Sequence, residues 1–161
     1  HRPTEYVLID QITLEARQAY EATYEALDPA QPVTMTLVWD DVPAEIGAER
    51  ALVNRLSLEV EVAERVYRGN VFANGLSIPN MKQDEVNNVL KVILPAETCR
   101  QGTIRISPAE LRAKARQDLA VVNQDFSLVI HNARLISVPA GTEPIAVEQA
   151  ALLYVERGSQ A

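Results

Sequence analysis

The sequence predicts an α+β fold, a mostly antiparallel sheet of about six to eight strands with two amphipathic helices packed on one face. Three patterns support this prediction. Residues 56–62 alternate between apolar and polar side chains, whereas residues 10–28 and 107–122 repeat apolar side chains at a helical spacing. No internal repeat or long linker divides the 161 residues, so we expect one domain over 1–161.

The N-terminal part is predicted to hold an extended segment and the first helix. We interpret residues 1–9 as an extended arm or a short first strand. A helix cap is predicted at Asp10, and Asp28-Pro29 ends the helix because the residue before proline avoids the α region. The apolar stripe between these ends comprises Ile12, Ala16, Tyr20, Tyr24 and Leu27.

The middle of the chain is predicted to form strands. Residues 33–39 alternate and place Trp39 on the buried face, and residues 56–62 form the clearest half-exposed strand. A short helical turn and then a strand over 88–94 are predicted next, although the whole segment 82–94 also fits a helix.

Two dipeptides between these strands favour tight turns. Asn74-Gly75 is the stronger hairpin signal because both residues tolerate positive φ, and Gly69-Asn70 is the weaker one. We expect a meander that uses both turns.

The second helix is predicted after a short strand at 103–106. The sequence Ser-Pro-Ala-Glu at 107–110 has the pattern of a capping box with proline at the first helical position. The apolar stripe of this helix would comprise Leu111, Ala115, Leu119 and Val122.

The C-terminal part is predicted to form two long strands, 126–138 and 145–156, joined by a Pro-Gly loop. Residues 147–156 also fit a helix, because they are rich in Ala, Gln, Glu and Leu.

The formal net charge of -7 disfavours nucleic acid as a partner, since phosphate backbones are bound by Lys and Arg. The densest basic cluster, Arg112, Lys114 and Arg116, is interpreted as the solvated face of the second helix. No apolar run approaches the length of about 20 residues that a membrane span needs. The first residue is His1 rather than Met, so a removed signal sequence would place the protein outside the cytoplasm.

The candidate metal ligands are Asp40 and Asp41, joined by Glu45 or Glu49. Neighbouring residues on a strand point to opposite faces, so two adjacent aspartates converge only where the chain turns sharply. We therefore interpret the aspartate pair as the exit from a strand, where carboxylates accept hydrogen bonds from backbone N–H groups ahead of them.

The residue types that usually carry out catalysis are sparse. His131 lies in an expected strand with no ligand or base at a useful spacing, and Cys99 is the single cysteine and has no histidine near it in sequence. No nucleotide-binding glycine loop and no nucleophile motif is present, so we expect no cofactor.

We therefore expect a non-catalytic interaction or assembly module, a subunit or exported domain of a larger bacterial complex. The bacterial source is inferred from the excess of Arg over Lys. Its partner would be another protein or a second copy, joined through sheet edges. The alternatives are a binding protein for a small apolar ligand held between sheet and helices, and a hydrolase that uses a divalent cation on Asp40, Asp41 and Glu45.

Overall fold

A computed structural model describes residues 5–44, 46–47, 52–142 and 144–148, which form eleven strands and no helix. The strands are β1 (Glu5–Glu15), β2 (Tyr20–Ala26), β3 (Val33–Val38), β4 (Arg55–Val62), β5 (Arg65–Ala73), β6 (Leu76–Pro79), β7 (Val89–Leu94), β8 (Gln101–Glu110), β9 (Asn123–His131), β10 (Ala133–Ser137) and β11 (Ile145–Glu148). The prediction of an α+β fold with two helices is therefore wrong, and the fold is all-β.

The strands form two antiparallel sheets that pack face to face. Sheet A has the order β11-β1-β9-β3-β7, and sheet B has the order β10-β2-β8-β4-β5-β6. One hydrophobic core fills the space between them, with Trp39 and Leu128 from the side of sheet A and Tyr24, Leu58 and Ile104 from sheet B. Inward side chains thus alternate with outward ones along β2, β3 and β4, as in other sandwiches.

Residues 10–28, predicted as the first helix, form the end of β1, a turn at 16–19 and β2. A spacing of four residues is close to one helical turn, but it is also twice the strand period, so the predicted stripe fits both structures. In β2 the buried side chains are Tyr20, Ala22 and Tyr24, which alternate with more exposed ones. The chain reverses between the strands at Arg17, whose φ is 71°.

Residues 107–110, predicted as a helix start, belong to β8, and residues 111–122 form turns and irregular backbone. Pro108 lies opposite Leu56 at a bulge in the pairing with β4, and β2 pairs with β8 only as far as Ile106. Proline is tolerated at a bulge or beside an unpaired strand side, and both conditions hold here. The capping-box pattern was therefore misleading.

The remaining strand predictions had mixed outcomes. The strands predicted at 33–39, 56–62 and 88–94 are confirmed as β3, β4 and β7. The strand predicted over 126–138 is divided at Asn132, whose φ of 64° lets β9 end in sheet A and β10 start in sheet B. Of the strand predicted over 145–156, residues 145–148 form β11 and the others lie outside the described residues.

Candidate functional site

The aspartate pair after β3 stabilises a loop rather than forming a pair of converging carboxylates. Asp41 accepts hydrogen bonds from the backbone N–H groups of Val53 and Asn54, each at 2.7 Å. Asp40 is exposed, and its backbone carbonyl accepts a hydrogen bond from Gln124 Nε2 at 2.8 Å. Both oxygens of the Asp41 carboxylate are thus engaged with the start of β4.

A metal site at these aspartates would need further ligands. In the part of the chain that the structure describes, no group of three or more His, Cys, Asp or Glu side chains lies close enough to hold a metal ion. The predicted third ligands, Glu45 and Glu49, lie outside the described residues.

Asn54 extends the Asp41 contact into a buried polar network. Its Oδ1 accepts a hydrogen bond from the N–H of Arg112 at 2.8 Å, and its Nδ2 donates to Gln124 Oε1 at 3.0 Å. Asn54 and Gln124 are fully buried. Because a buried amide must satisfy its hydrogen bonds, this network fixes the irregular segment after β8 against the sandwich. It holds structure and presents no reactive group.

Cys99 is buried between two tyrosines at the end of the core. The Tyr24 hydroxyl donates to the carbonyl of Cys99 at 2.8 Å, and Cys99 Sγ lies 3.8 Å from the Tyr67 hydroxyl. Burial, followed by the neighbouring Cys99 and Tyr67, raises the pKa of Tyr24 well above its ordinary value. The cluster is closed to solvent, so it offers no accessible nucleophile.

His131 ends β9 and faces away from the core. Its ring contacts that of Tyr6, with the ring centroids 4.8 Å apart, and its Nε2 atom is buried without a hydrogen-bond partner among the described residues. Burial lowers the pKa of the imidazole below its usual value of 6.5, so this ring is neutral at pH 7.

The two arginines of the basic cluster after β8 are paired with carboxylates. Arg112 Nε donates to Glu110 Oε1 at 2.6 Å, and Arg116 Nη2 donates to Asp118 Oδ2 at 2.6 Å. The cluster lies on irregular backbone and not on a helix face as predicted. Cations already paired with carboxylates form a poor surface for a phosphate backbone.

An open groove of about 650 Å³ lies where β2 and β4 end and β8 begins. Its lining mixes apolar side chains such as Leu27 and Val62 with the charged side chains of Glu25 and Arg100. The predicted ligand site between a sheet and two helices does not exist, because the described residues form no helix. The groove itself falls in the size range of small-molecule sites, about 300–1,000 Å³.

The outer edge of β7, at one side of the sandwich, is closed by side chains from β5 and β6. The N–H of Lys91 donates to Asn70 Oδ1 at 2.8 Å, and the N–H of Ile93 donates to Ser77 Oγ at 2.9 Å. Asn70 Nδ2 donates in turn to the carbonyl of Val89 at 2.8 Å. Because these backbone groups are already engaged, this edge cannot take a further strand.

A bulge in β5 makes this closure possible. Asn70 has a φ of 60°, and the pairing of β5 with β6 shifts register beyond Tyr67. A Cβ on Gly69 would lie 2.7 Å from the Cβ of Leu90, so only glycine allows β5 to approach β7 this closely. The turn predicted at Gly69-Asn70 is therefore wrong. Glycine and asparagine also suit a β-bulge, and the sequence analysis did not consider a bulge at this position.

Asp84 holds the closing asparagine in position. Its Oδ2 accepts hydrogen bonds from Asn70 Nδ2 at 2.9 Å and from Asn87 Nδ2 at 2.6 Å. These two hydrogen bonds lower the pKa of Asp84 below its ordinary value. The edge of β7 is thus protected by a connected polar network rather than by a single contact.

The opposite side of the sandwich ends in β10 and β11. Each pairs with a single strand in the described part of the chain, β10 with β2 and β11 with β1. The N–H of Leu27 donates to the carbonyl of Asn132, so antiparallel alternation turns the backbone groups of Ala133 and Leu135 away from β2. Beside them Ile136 is 56% exposed. Ala133 is only 1% exposed, so the accessible part of the outer edge of β10 begins at Leu135.

No model of a known protein family matches this chain, and no curated protein sequence matches it. The described residues contain no helix long and apolar enough to cross a membrane.

Proposed function

We propose that this protein is a non-catalytic assembly module that binds an extended segment of another protein at the open edge of β10. The observation that carries the proposal is the contrast between the two sides of the sandwich. Asn70 and Ser77 occupy the backbone groups of β7, whereas those of Leu135 turn away from β2 and have no strand paired with them in the described part of the chain. An unpaired edge recruits a strand through backbone hydrogen bonds.

The local chemistry supports binding more than catalysis. Cys99 is enclosed with neutral tyrosines, and Asp41 is occupied by backbone N–H groups. Neither residue can attack or activate a substrate in this arrangement. On β10 the side chains of Arg134 and Ile136 are exposed, and Ile136 supplies an apolar contact for a neighbouring strand.

Affinity isolation of the tagged full chain from its source cells tests the proposal. Ile136→Lys places a charge at the open edge, and Phe72→Lys is the matched control, because Phe72 is 42% exposed at the closed side. We expect a partner that wild type and Phe72→Lys retain and Ile136→Lys loses. In the isolated complex, hydrogen exchange must also slow at the amide of Leu135. A partner retained by Ile136→Lys, or unchanged exchange at this amide, contradicts the proposal.

A second candidate function is binding of a small molecule in the groove beside Leu27 and Val62, which its volume favours. Native mass spectrometry of protein purified from its own source would show an added mass, and Leu27→Glu, at a lining residue that is 50% exposed, would remove it. A spectrum with the bare chain mass alone would count against this candidate.

A further inference from the structure

The groove where β2 and β4 end and β8 begins combines buried apolar lining with exposed polar lining. Val62 and Ala96 are buried beneath it. Thr98, Arg100 and Gln101, which belong to one short segment at the start of β8, line it and are exposed. Sites for small molecules commonly have such an apolar lining with a few polar groups that fix the orientation of the ligand.

The charges that line the groove are not balanced. Glu25 and Arg100 are its charged lining residues, and the Glu25 carboxylate already accepts a hydrogen bond from Arg134 Nε at 2.9 Å. The Arg100 guanidinium has no ion pair or hydrogen bond in the described part of the chain. Glu64 and Glu97 are exposed beside lining residues in the sequence, but they do not line the groove. In a chain with a net charge of -7, the groove thus offers an unpaired positive charge.

The backbone of Arg100 is held on both sides. Its carbonyl accepts a hydrogen bond from the N–H of Ala26 at 2.7 Å. The preceding residue, Cys99, is buried, its N–H donates to the carbonyl of Pro95 at 2.9 Å, and its carbonyl accepts the hydroxyl of Tyr24 at 2.8 Å. Because the segment is already ordered, a ligand that binds to it pays little entropy for fixing the backbone.

Ala63 lines the groove in a conformation that alanine rarely adopts. Its φ is 50°, and it lies in the two-residue turn between Val62 and Arg65, which pair across β4 and β5. Such turns need positive φ, which asparagine and glycine adopt at less cost than alanine. Strained residues of this kind concentrate at ligand sites. Here the strained alanine places a methyl group among the apolar lining of the groove.

We propose that the groove binds an amphiphilic carboxylate, a hydrocarbon chain or ring system that carries one carboxyl group. The carboxylate binds to the guanidinium of Arg100, whose planar donors match two carboxylate oxygens. The hydrocarbon part covers Val62 and Leu27, and Leu27 is 50% exposed without it. The inference rests on the second candidate function and deepens it by naming the class of ligand, and it does not involve the β10 edge.

Nuclear magnetic resonance titration of the full chain with octanoate tests the ligand class. We expect saturable shifts at the amides of Val62, Ala63 and Arg100 with a Kd of about 1 mM or tighter. Octan-1-ol has the same chain without the charge and should bind at least about tenfold more weakly, and octylammonium should give no saturable shifts. Equal binding of octanoate and octan-1-ol, or no binding of octanoate, overturns the proposal.

A pair of charge-removing variants tests the role of Arg100. Arg100→Gln should raise the octanoate Kd at least about tenfold. Lys114→Gln is the matched control, because the ten residues of β8, at about 3.3 Å each, place Lys114 well beyond a Debye length of about 10 Å from the groove. Circular dichroism and melting establish that each variant is folded. An unchanged Kd in Arg100→Gln, or equal losses in the two variants, contradicts the assignment.

The outcomes separate this inference from the candidate function on which it rests. Leu27→Glu should abolish octanoate binding together with any mass that native spectra show on the protein from its source. A native mass that Leu27→Glu removes, on a protein that does not bind octanoate, would support a ligand in the groove and refute the carboxylate.

Discussion

The side-chain oxygen of Asn70 accepts a hydrogen bond from the backbone N–H of Lys91 at 2.8 Å, which joins the edge of sheet A to sheet B. The bulge at Asn70 turns this amide toward β7, and Asp84 holds it there. An asparagine at a positive φ, which sequence alone assigns to a turn, thus closes the edge of β7.

Asn70→Gly should destabilise the protein. Glycine keeps the positive φ but loses the side-chain bonds to Lys91, Val89 and Asp84, which leaves buried or half-buried groups unpaired and costs about 1–3 kcal/mol. Asn74→Gly is the matched control at another positive-φ asparagine, and it should change the free energy of unfolding by less than about 0.5 kcal/mol. Urea denaturation measures both values. Equal effects of the two variants would argue against the closing role of Asn70.

Gly69→Ala tests the close approach of β5 to β7. An added methyl group would lie 2.7 Å from the Leu90 Cβ, so strands or side chains must shift, at a cost of about 1–3 kcal/mol. Because the conflict is with Leu90, the double variant with Leu90→Ala should lose less stability than the sum of the two single variants. Additive losses in a double-mutant cycle would show that the methyl group meets no obstacle there.

Asp41 and Asp40 should differ strongly although they are neighbours. Asp41→Ala removes two acceptors for backbone N–H groups at the start of β4 and should cost about 2–4 kcal/mol, since hydrogen bonds to a charged group are the stronger ones. Asp40→Ala removes an exposed side chain and should cost less than about 0.5 kcal/mol. Thermal melting of both variants, with and without Mg²⁺, measures the difference. A Mg²⁺-dependent rise in wild-type Tm that Asp40→Ala abolishes would revive the metal hypothesis.

His131 should make the stability depend on pH. Its pKa is lower in the folded chain than in the unfolded chain, so the unfolded state binds the proton first as the pH falls. The contribution of the neutral imidazole to the free energy of unfolding is complete above pH 6.5, the ordinary pKa of histidine. This contribution is lost as the pH falls below 6.5 toward the lower pKa of the folded chain. Urea unfolding of wild type and His131→Gln between pH 5 and pH 8 measures this, and the variant should show a smaller slope. Identical slopes would mean that His131 does not titrate differently on folding.

The strand core of the fold was predictable from sequence, because period-two alternation has no helical equivalent over the seven residues 56–62. No such pattern ruled out the two helices predicted at 10–28 and 107–122. Tyr20 and Tyr24 are four residues apart, a spacing that suits one face of a helix and one face of a strand equally. Ala22 between them decides in favour of the strand, since it is buried as well, but alanine by itself favours a helix.

The candidate site depends on pairings that no local pattern reveals. Gly69-Asn70 has the composition of a turn, and only the approach of β7 shows that it is a bulge. The prediction of one long strand over 126–138 gave no sign that the chain passes at Asn132 from sheet A to the edge of sheet B.

Residue-resolved hydrogen exchange of the isolated, dilute protein tests the central claim most directly, namely that one side of the sandwich is closed and the other is open. We predict slow exchange at the amides of Lys91 and Ile93, which donate to Asn70 and Ser77, and fast exchange at the amide of Leu135 on the outer edge of β10. Equal protection at the two edges, or the reverse order, would contradict the account.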